Sequence, residues 1–148
     1  MVLDIATSLI NGDTDSAAAI YSEGSLVMHG SANADGKLLE LTNHGSLIQA
    51  RGDMTLDAVQ VNNLREGAVI GETVVTTHRW LSRSSGDRND EIKTVTTEYI
   101  EDEGRAGEIF SGSNLLIDGN VNNQQSALMA LGDVDVTGKL NNQDTTLY

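Results

Sequence analysis

The chain has 148 residues, the length of one ordinary domain, and carries a formal net charge of −13. It contains no cysteine, which excludes disulfides and thiol chemistry, and its acidity argues against nucleic acid or an anionic membrane as a partner. Because only one Trp, three Tyr and one Phe stand beside fifteen glycines, a core built around large rings is not expected.

The pattern over positions 1–67 predicts short strands arranged as degenerate copies of one template. Apolar residues alternate with polar ones, and the runs are separated by corners rich in Gly, Asp and Asn. One copy, which has an extra residue after Leu56, consists of Ile48, Met54, Leu56, Val61 and Asn62-Asn63. Partial copies precede it, with an interruption near 30–37, at Leu3, Ile5, Leu9, Asn11, Ile20, Leu26, Met28, Leu39, Leu41 and Asn43.

Residues 68–107 depart from this template. They contain two strand-like runs, Glu72–Arg83 and Glu91–Glu101, joined by Ser84–Asp90, and this pattern predicts a long antiparallel hairpin inserted in the chain. Insertions on a rigid frame commonly carry recognition, and Trp and Arg are enriched in binding hot spots. The candidate partner-binding residues are Arg79, Trp80, Arg83, Arg88, Lys93 and Tyr99. The alternative is that the hairpin only covers one lateral face of the frame.

Residues 108–148 return to the template, and 109–123 align without a gap on 128–142 at an offset of 19. The matching pairs are Ile109/Leu128, Leu115/Val134, Ile117/Val136, Val121/Leu140 and Asn122-Asn123/Asn141-Asn142. A period of about 20 residues is too short for a strand–helix–strand unit and matches one coil of a parallel β-helix.

The predicted fold is therefore all-β, a right-handed parallel β-helix with an inserted antiparallel β-hairpin. Residues 1–67 and 108–148 would form its coils, and the whole would be a single continuous domain. Stacked coils would align inward residues such as Leu26, Met54, Leu115 and Val134, and repeated asparagines would form amide ladders. An antiparallel sandwich is the alternative, but matching Asn-Asn pairs at three places argue against it.

No residue pattern points to catalysis, and we predict no enzyme, cofactor or metal site. His29, His44 and His78 lie far apart, and none has a second ligand at metal-binding spacing. Asp133 and Asp135 alternate on a strand as a candidate carboxylate pair, but Asp133 occupies a corner of the repeat, so a solvated turn is the better interpretation.

Two segments resemble a known family of repeats. GSLIQARGDMTLDAVQVNN (45–63) and SALMALGDVDVTGKLNNQ (126–143) are similar to the filamentous-haemagglutinin repeats of two-partner-secreted exoproteins. The insertion, with RWLSRSSGDRNDEIKTVTTEYIEDEG in its middle, resembles a segment of the CdiA-like contact-dependent growth inhibition exoproteins. The repeats are specific as a fold signal, and adhesins and toxin-delivery proteins share them.

This resemblance implies a non-enzymatic stalk and receptor-recognition segment of a protein secreted to the outer surface of a Gram-negative bacterium. An outer-membrane two-partner-secretion transporter would export the full-length protein. The expected partner is an outer-membrane protein receptor on a neighbouring bacterium, to which a toxin carried elsewhere in the protein would be delivered. The alternatives are a haemagglutinin-type adhesin for host glycans or proteins and, third, a polysaccharide-active β-helix enzyme.

The ends of the sequence also carry an expectation. The N-terminus lacks the basic and apolar regions of a signal peptide, and the repeat pattern is unfinished at Tyr148. No apolar run approaches the length of a membrane-spanning helix. We therefore expect a fragment of a much longer protein.

Overall fold

The computed structural model describes residues 1–82 and 88–144. Contacts divide the chain into two compact units, which are described separately. Of the described residues, 1–68 and 104–144 form the first, here called the parallel unit, and 69–103 form the second, the hairpin unit. The unit boundaries thus fall at 68/69 and 103/104, where the sequence suggested 67/68 and 107/108.

The described residues form fourteen strands and no helix, so these ranges contain no helix that could span a membrane. The parallel unit contains β1 Val2–Ile5, β2 Ser8–Asn11, β3 Ala19–Ser22, β4 Leu26–Gly30, β5 Leu38–His44, β6 Leu47–Ala50, β7 Met54–Leu64, β10 Glu108–Ser111, β11 Leu115–Gln124, β12 Ala127–Ala130, β13 Val134–Val136 and β14 Leu140–Gln143. The hairpin unit contains β8 Val69–Ser82 and β9 Arg88–Asp102.

The strands of the parallel unit pair in parallel in two sheets. One sheet has the order β1-β4-β7-β11-β13, with β2, β5 and β14 also paired into it, and the other has the order β12-β10-β6-β3. Short alternating runs separated by Gly, Asn and Asp corners favour such strands, because each corner lets the chain turn while each run buries one face. The prediction of an all-β fold with parallel sheets is confirmed.

The strand register follows the sequence repeat. Ile109 pairs with Leu128, Leu115 with Val134 and Asn123 with Asn142, each at the same sequence offset of 19. Between β7 and β11, the extra residue after Leu56 appears as a register shift between Asp118 and Asn120. The sequence alignment of the copies is therefore the hydrogen-bonding alignment of the strands.

The core consists of the inward residues of the template. Its fully buried large side chains are Leu26, Met28, Leu38, Leu41, Ile48, Met54, Leu56, Val61, Ile109, Leu115, Ile117 and Val121. Burying an aliphatic side chain of this size contributes about 2 kcal/mol to the free energy of folding. Aliphatic residues therefore stabilise this interior without large aromatic rings. Val134 keeps the predicted register but stays 45% exposed, because β13 lies at the edge of its sheet.

One template residue was assigned wrongly. Leu39 was predicted to resume the pattern after the interruption, but it is 51% exposed and Leu38 is buried instead. The reason is an irregularity that β5 shares with β7, where Leu38 pairs with Ala58 and the next inward pair is Leu41 with Val61. The inward residues Leu38 and Leu41 are three positions apart here. Two-residue alternation counted back from Leu41 therefore selects Leu39 in place of Leu38.

The hairpin unit is a two-stranded antiparallel sheet. Its register runs from Val69 opposite Asp102 to Ser82 opposite Arg88. Both strands are longer than the two runs that the sequence suggested. The predicted connection Ser84–Asp90 lies mostly outside the described residues, which resume at Arg88.

Candidate partner-binding surface

The hairpin exposes β-branched residues on both of its strands. Val74, Val75 and Ile92 are each more than half exposed. Cross-strand pairs such as Val75 with Val95 stabilise the register, but a two-stranded sheet without further cover is marginal in water. An exposed sheet of this kind is a surface on which a partner could pack.

Two of the predicted binding residues share one face of the hairpin. Arg79 lies opposite Glu91, and Lys93 lies opposite Thr77, two residues before Arg79. Because residues two apart on a strand point to the same face, the two cations lie on one face, and both side chains are exposed. Arg79 and Lys93, here called the Arg79–Lys93 patch, therefore lie close together on one exposed face, which also carries Glu91 opposite Arg79 and has one net positive charge from these three residues.

Tyr99 belongs to a different part of the same unit. It pairs with Gly71, and a methyl group built on Gly71 would lie 2.5 Å from Cζ of the Tyr99 ring. The Tyr99 ring thus lies over Gly71 of the facing strand. Any side chain at position 71 would collide with the ring in this position. Tyr99 is eight positions along β9 from Glu91, roughly 27 Å at 3.4 Å per residue, so it does not join the Arg79–Lys93 patch.

The other three predicted residues are described less fully. The backbone of Trp80 pairs with Asp90, and that of Arg88 pairs with Ser82. Arg83 lies outside the described residues. The roles suggested for these three side chains stay predictions.

The parallel unit contains the asparagine ladder that the repeat predicted. Each side-chain amide nitrogen donates to the side-chain oxygen of the next asparagine at 2.7–2.8 Å, in the order Asn11, Asn43, Asn63, Asn123 and Asn142. The first four side chains are buried. The prediction of an amide ladder is confirmed.

The ladder residues also hold the corners of the chain. Asn43 and Asn123 each donate to the carbonyl oxygen three residues ahead, those of Ser46 and Ser126. Asn63 makes the equivalent bond to Gly107, at a sequence separation of 44. The insertion therefore lengthens the chain within one corner and leaves the hydrogen bond that closes this corner intact.

A group of contacts that the sequence did not indicate closes this corner, and we call it the neck. Glu66 and Arg105 form an antiparallel bridge, in which their backbone N–H groups donate to each other's carbonyl oxygens at 2.9 and 2.7 Å. The Glu66 carboxylate also bonds Nδ1 of His44, and Gly45 packs beneath the bridge with φ of 48°. Gly45 directly after His44 was the one available signal, because a positive-φ corner accepts glycine most readily.

A row of charged side chains follows the register of the first sheet. Asp57 pairs with Asp118, whose carboxylate is 2.9 Å from Nζ of Lys37 and accepts the Thr137 hydroxyl at 2.6 Å. Those hydrogen bonds hold the pKa of Asp118 below its usual range. Burial raises the pKa of Asp57, and the negative charge of Asp118 raises it further.

The described residues do not assemble these groups into a metal-binding cluster. His29 faces Asp4 at 3.7 Å, whereas His44 bonds Glu66 in the neck. No group of three or more His, Asp or Glu side chains within the described ranges could hold a metal ion. Asp133 lies at an exposed corner, where its backbone N–H donates to the side chain of Asn114 at 3.0 Å, as expected for a turn residue.

Comparison with family models, with curated proteins and with solved structures finds no match for this chain. The features that bear on function are therefore those of the chain itself. They are a regular parallel unit, a closed corner and an exposed hairpin that carries an Arg79–Lys93 patch.

Proposed function

We propose that the parallel unit is a right-handed parallel β-helix. Three observations support this proposal. All strand pairs of the unit are parallel, β5 pairs with β7 at a separation of 20 and β11 pairs with β13 and β14 at a separation of 19, and one asparagine ladder runs through five copies. Right-handedness follows from the strong preference of parallel crossover connections for that hand.

The chain is, in this proposal, a non-enzymatic stalk segment of a secreted CdiA-like exoprotein that recognises an outer-membrane protein on a neighbouring bacterium. The β-helix provides a rigid frame, and the hairpin provides the recognition surface. An outer-membrane two-partner-secretion transporter would export the full-length protein. The role of the hairpin as a lateral cover of the frame is the competing interpretation.

The observation that carries the proposal is the intact corner beneath the insertion. Asn63 bonds Gly107 across the whole insertion, so the frame makes the same corner bond here as in the copies without one. Residues that the frame does not need, and whose side chains are exposed, are the residues expected to contact a partner. With Glu91 opposite Arg79, the Arg79–Lys93 patch keeps one net positive charge, to which an acidic group of a receptor would bind.

The proposal is tested by measuring binding of the purified chain to two immobilised sets, bacterial outer-membrane proteins and host-cell glycans. We expect saturable binding to an outer-membrane protein, weakened about tenfold by Arg79→Ala with Lys93→Ala. The matched control is Lys139→Ala, which removes an exposed cation from the parallel unit and should leave binding unchanged.

Binding to host glycans alone would overturn the bacterial-receptor proposal and favour the adhesin alternative. Equal binding by the wild type and the double variant would favour the interpretation that the hairpin only covers a lateral face of the frame. Depolymerisation of an acidic polysaccharide, abolished by Asp133→Asn, would favour the enzyme alternative. Unchanged circular dichroism of each variant shows that a loss of binding is not a loss of folding.

A further inference from the structure

The two strands of the hairpin differ in how strongly they are charged. Seven of the fifteen residues of β9 are Asp, Glu, Lys or Arg, against two of the fourteen residues of β8. Within the described residues each of these strands pairs only with the other, so each has an outer edge that no described strand covers. Proteins commonly use charged side chains to keep an edge strand from pairing with another chain. β9 has this protection, and β8 lacks it between Glu72 and Arg79.

This part of β8 is also accessible. Residues 72–79 are all exposed, and the stretch between the two charged residues, TVVTTH, is rich in the β-branched residues that favour strands. A sheet of only two strands is marginal in water, and further strands would stabilise it. β8 lies in the middle of the chain, with strands of the parallel unit before and after it in the sequence.

We propose that β8 pairs with β8 of a second copy, in antiparallel orientation and centred on Val75. A two-fold axis at Val75, perpendicular to the sheet, would join two hairpins into one four-stranded sheet. Thr73 would then lie opposite Thr77 of the second copy, and Gly71 opposite Arg79. All of these residues lie on one face of the hairpin, as direct cross-strand pairing requires. The pairing of two hairpins is independent of the role proposed for the hairpin in receptor binding.

The central row of this sheet would be apolar. Val75 and Val95 face each other within one hairpin and are 54% and 44% exposed. Across the axis the two copies of Val75 would be neighbours, so that four valines form one row. Contact between β-branched residues on adjacent strands stabilises a sheet, and here it would remove apolar area from water.

The same register brings Tyr99 to Arg79 of the second copy. Within one hairpin the Tyr99 ring lies over Gly71, far along the strands from Arg79. Because Gly71 would pair with Arg79 of the second copy, that guanidinium would lie beside the ring, where a cation–π contact forms. Glu91, opposite Arg79 in its own hairpin, would complete the row. The two-fold axis makes this row twice.

Other arrangements match less well. Moving the axis by one residue to Thr76 would pair Val75 with Thr77 and Arg79 with Thr73, so the valine row and the Tyr99 contact would both be lost. Pairing through β9 would bring its charged residues together. In the proposed sheet the two charged β9 strands are the outer edges. An isologous contact of this kind is closed, so association stops at two chains.

Sedimentation equilibrium of the whole chain tests the proposal over about 10 µM to about 1 mM protein in about 0.15 M salt. The weight-average mass of the wild type should approach twice the monomer mass and rise no further. Val75→Lys places two ammonium groups at the axis and should keep the chain monomeric. Val95→Lys is the matched control, because it removes the same valine pair within the hairpin but lies on β9. It should still dimerise, with at most about fivefold lower affinity.

The contact between Tyr99 and Arg79 has its own variant. Tyr99→Leu removes two cation–π contacts from each dimer and should weaken association about fivefold or more. Unchanged circular dichroism of each variant shows that a loss of association is not a loss of folding.

Cysteine cross-linking tests the register, because the chain has no cysteine. In the proposed pairing the two Val75 Cα atoms lie about 4.5–5.5 Å apart, within disulfide range. The two Val95 Cα atoms lie three strand spacings apart, roughly 14 Å. On oxidation, Val75→Cys should therefore give a covalent dimer, and Val95→Cys should stay monomeric.

A wild type that is monomeric at all concentrations, growth beyond two chains, equal effects of Val75→Lys and Val95→Lys, or equal cross-linking of the two cysteine variants would each overturn the proposal. If the wild type is monomeric and Val75→Lys abolishes binding to an outer-membrane protein, the edge of β8 pairs with a strand of that protein and not with a second copy.

Discussion

The side-chain nitrogen of Asn63 lies 3.1 Å from the carbonyl oxygen of Gly107, to which it donates a hydrogen bond at a sequence separation of 44. The same nitrogen donates to the side-chain oxygen of Asn123 at 2.8 Å. One asparagine thus belongs both to the ladder and to the corner at which the hairpin unit is inserted. The insertion is added to a corner that the parallel unit builds without it.

The first prediction concerns removal of the insertion. Deleting positions 66–106 restores the three-residue spacing from the ladder asparagine to the next corner carbonyl. Arg65 would then occupy the corner position that Gly45 and Gln125 take with φ of 48° and 49°, so the deletion is combined with Arg65→Gly. We expect a folded protein with a β-sheet circular dichroism spectrum and one cooperative urea transition. Loss of that transition would show that the hairpin is required by the parallel unit.

The second prediction concerns the ladder itself. Asn63→Ala leaves the buried side-chain oxygen of Asn123 without its donor and removes one of the two N–H donors to the carbonyl of Gly107, and we expect a loss of about 2–3 kcal/mol in the free energy of unfolding. Asn122→Ala is the control, because that side chain faces outward and its oxygen accepts a hydrogen bond from the side chain of the exposed Asn141. It should cost less than about 0.5 kcal/mol. Equal losses for the two variants in urea unfolding would contradict a special role of the buried ladder.

The third prediction compares two corner residues in the left-handed region. Gly45 has φ of 48°, and a methyl group built on it would lie 2.9 Å from the carbonyl oxygen of Arg105, so Gly45→Ala should destabilise by about 1–2 kcal/mol. Gln125 has nearly the same φ of 49°, and Gln125→Gly should be neutral or stabilising by up to about 1 kcal/mol. Thermal unfolding of both variants checks the pair, and a stabilised Gly45→Ala would show that the neck is not tightly packed.

The fourth prediction concerns the paired carboxylates. The pKa of Asp57 is raised by burial and by Asp118, so its charged form is disfavoured in the folded state and lowers stability at neutral pH. That cost disappears as the pH falls through the raised pKa toward the ordinary value of 3.8. Asp57→Asn should therefore raise Tm at pH 7 by roughly 1–3 °C.

A pH series provides the control for this variant. Near pH 3 the carboxyl of Asp57 is protonated in both states, so the wild type and Asp57→Asn should unfold at the same temperature. Asp118→Asn should act in the opposite direction at pH 7, because the Lys37 ammonium and the Thr137 hydroxyl stabilise the ionised Asp118 carboxylate. A Tm difference for Asp57→Asn that does not change with pH would contradict the electrostatic explanation.

Much of the parallel unit follows from the sequence, because a template that repeats in sequence also repeats in strand register. The repeat offset of 19 predicted the pairs Leu115/Val134 and Asn123/Asn142 directly. The assignment failed at Leu39, because a local irregularity breaks two-residue alternation there. No Gly, Pro or other characteristic residue between Leu38 and Leu41 indicates the irregularity. The exposure of Val134 was also not predicted, since alternation indicates the inward face and not whether another strand covers it.

The candidate site was less predictable than the fold. Sequence analysis selected cations and aromatic residues near one another in the chain, but an extended hairpin separates its residues in space. Tyr99 lies at Gly71, far along the strand from the Arg79–Lys93 patch. The neck was missed because it joins Glu66 to Arg105 and His44, whose sequence separations carry no periodic signal.

The most direct test of the central claim, that the hairpin unit carries recognition while the parallel unit provides the frame, compares the whole chain with the chain that lacks positions 66–106 and carries Arg65→Gly. Binding of both to outer-membrane proteins from Gram-negative bacteria is measured by surface plasmon resonance. We predict saturable binding by the whole chain and a loss of at least about tenfold in affinity for the deleted chain, with its sheet spectrum retained. Equal affinity of the two proteins would contradict the account.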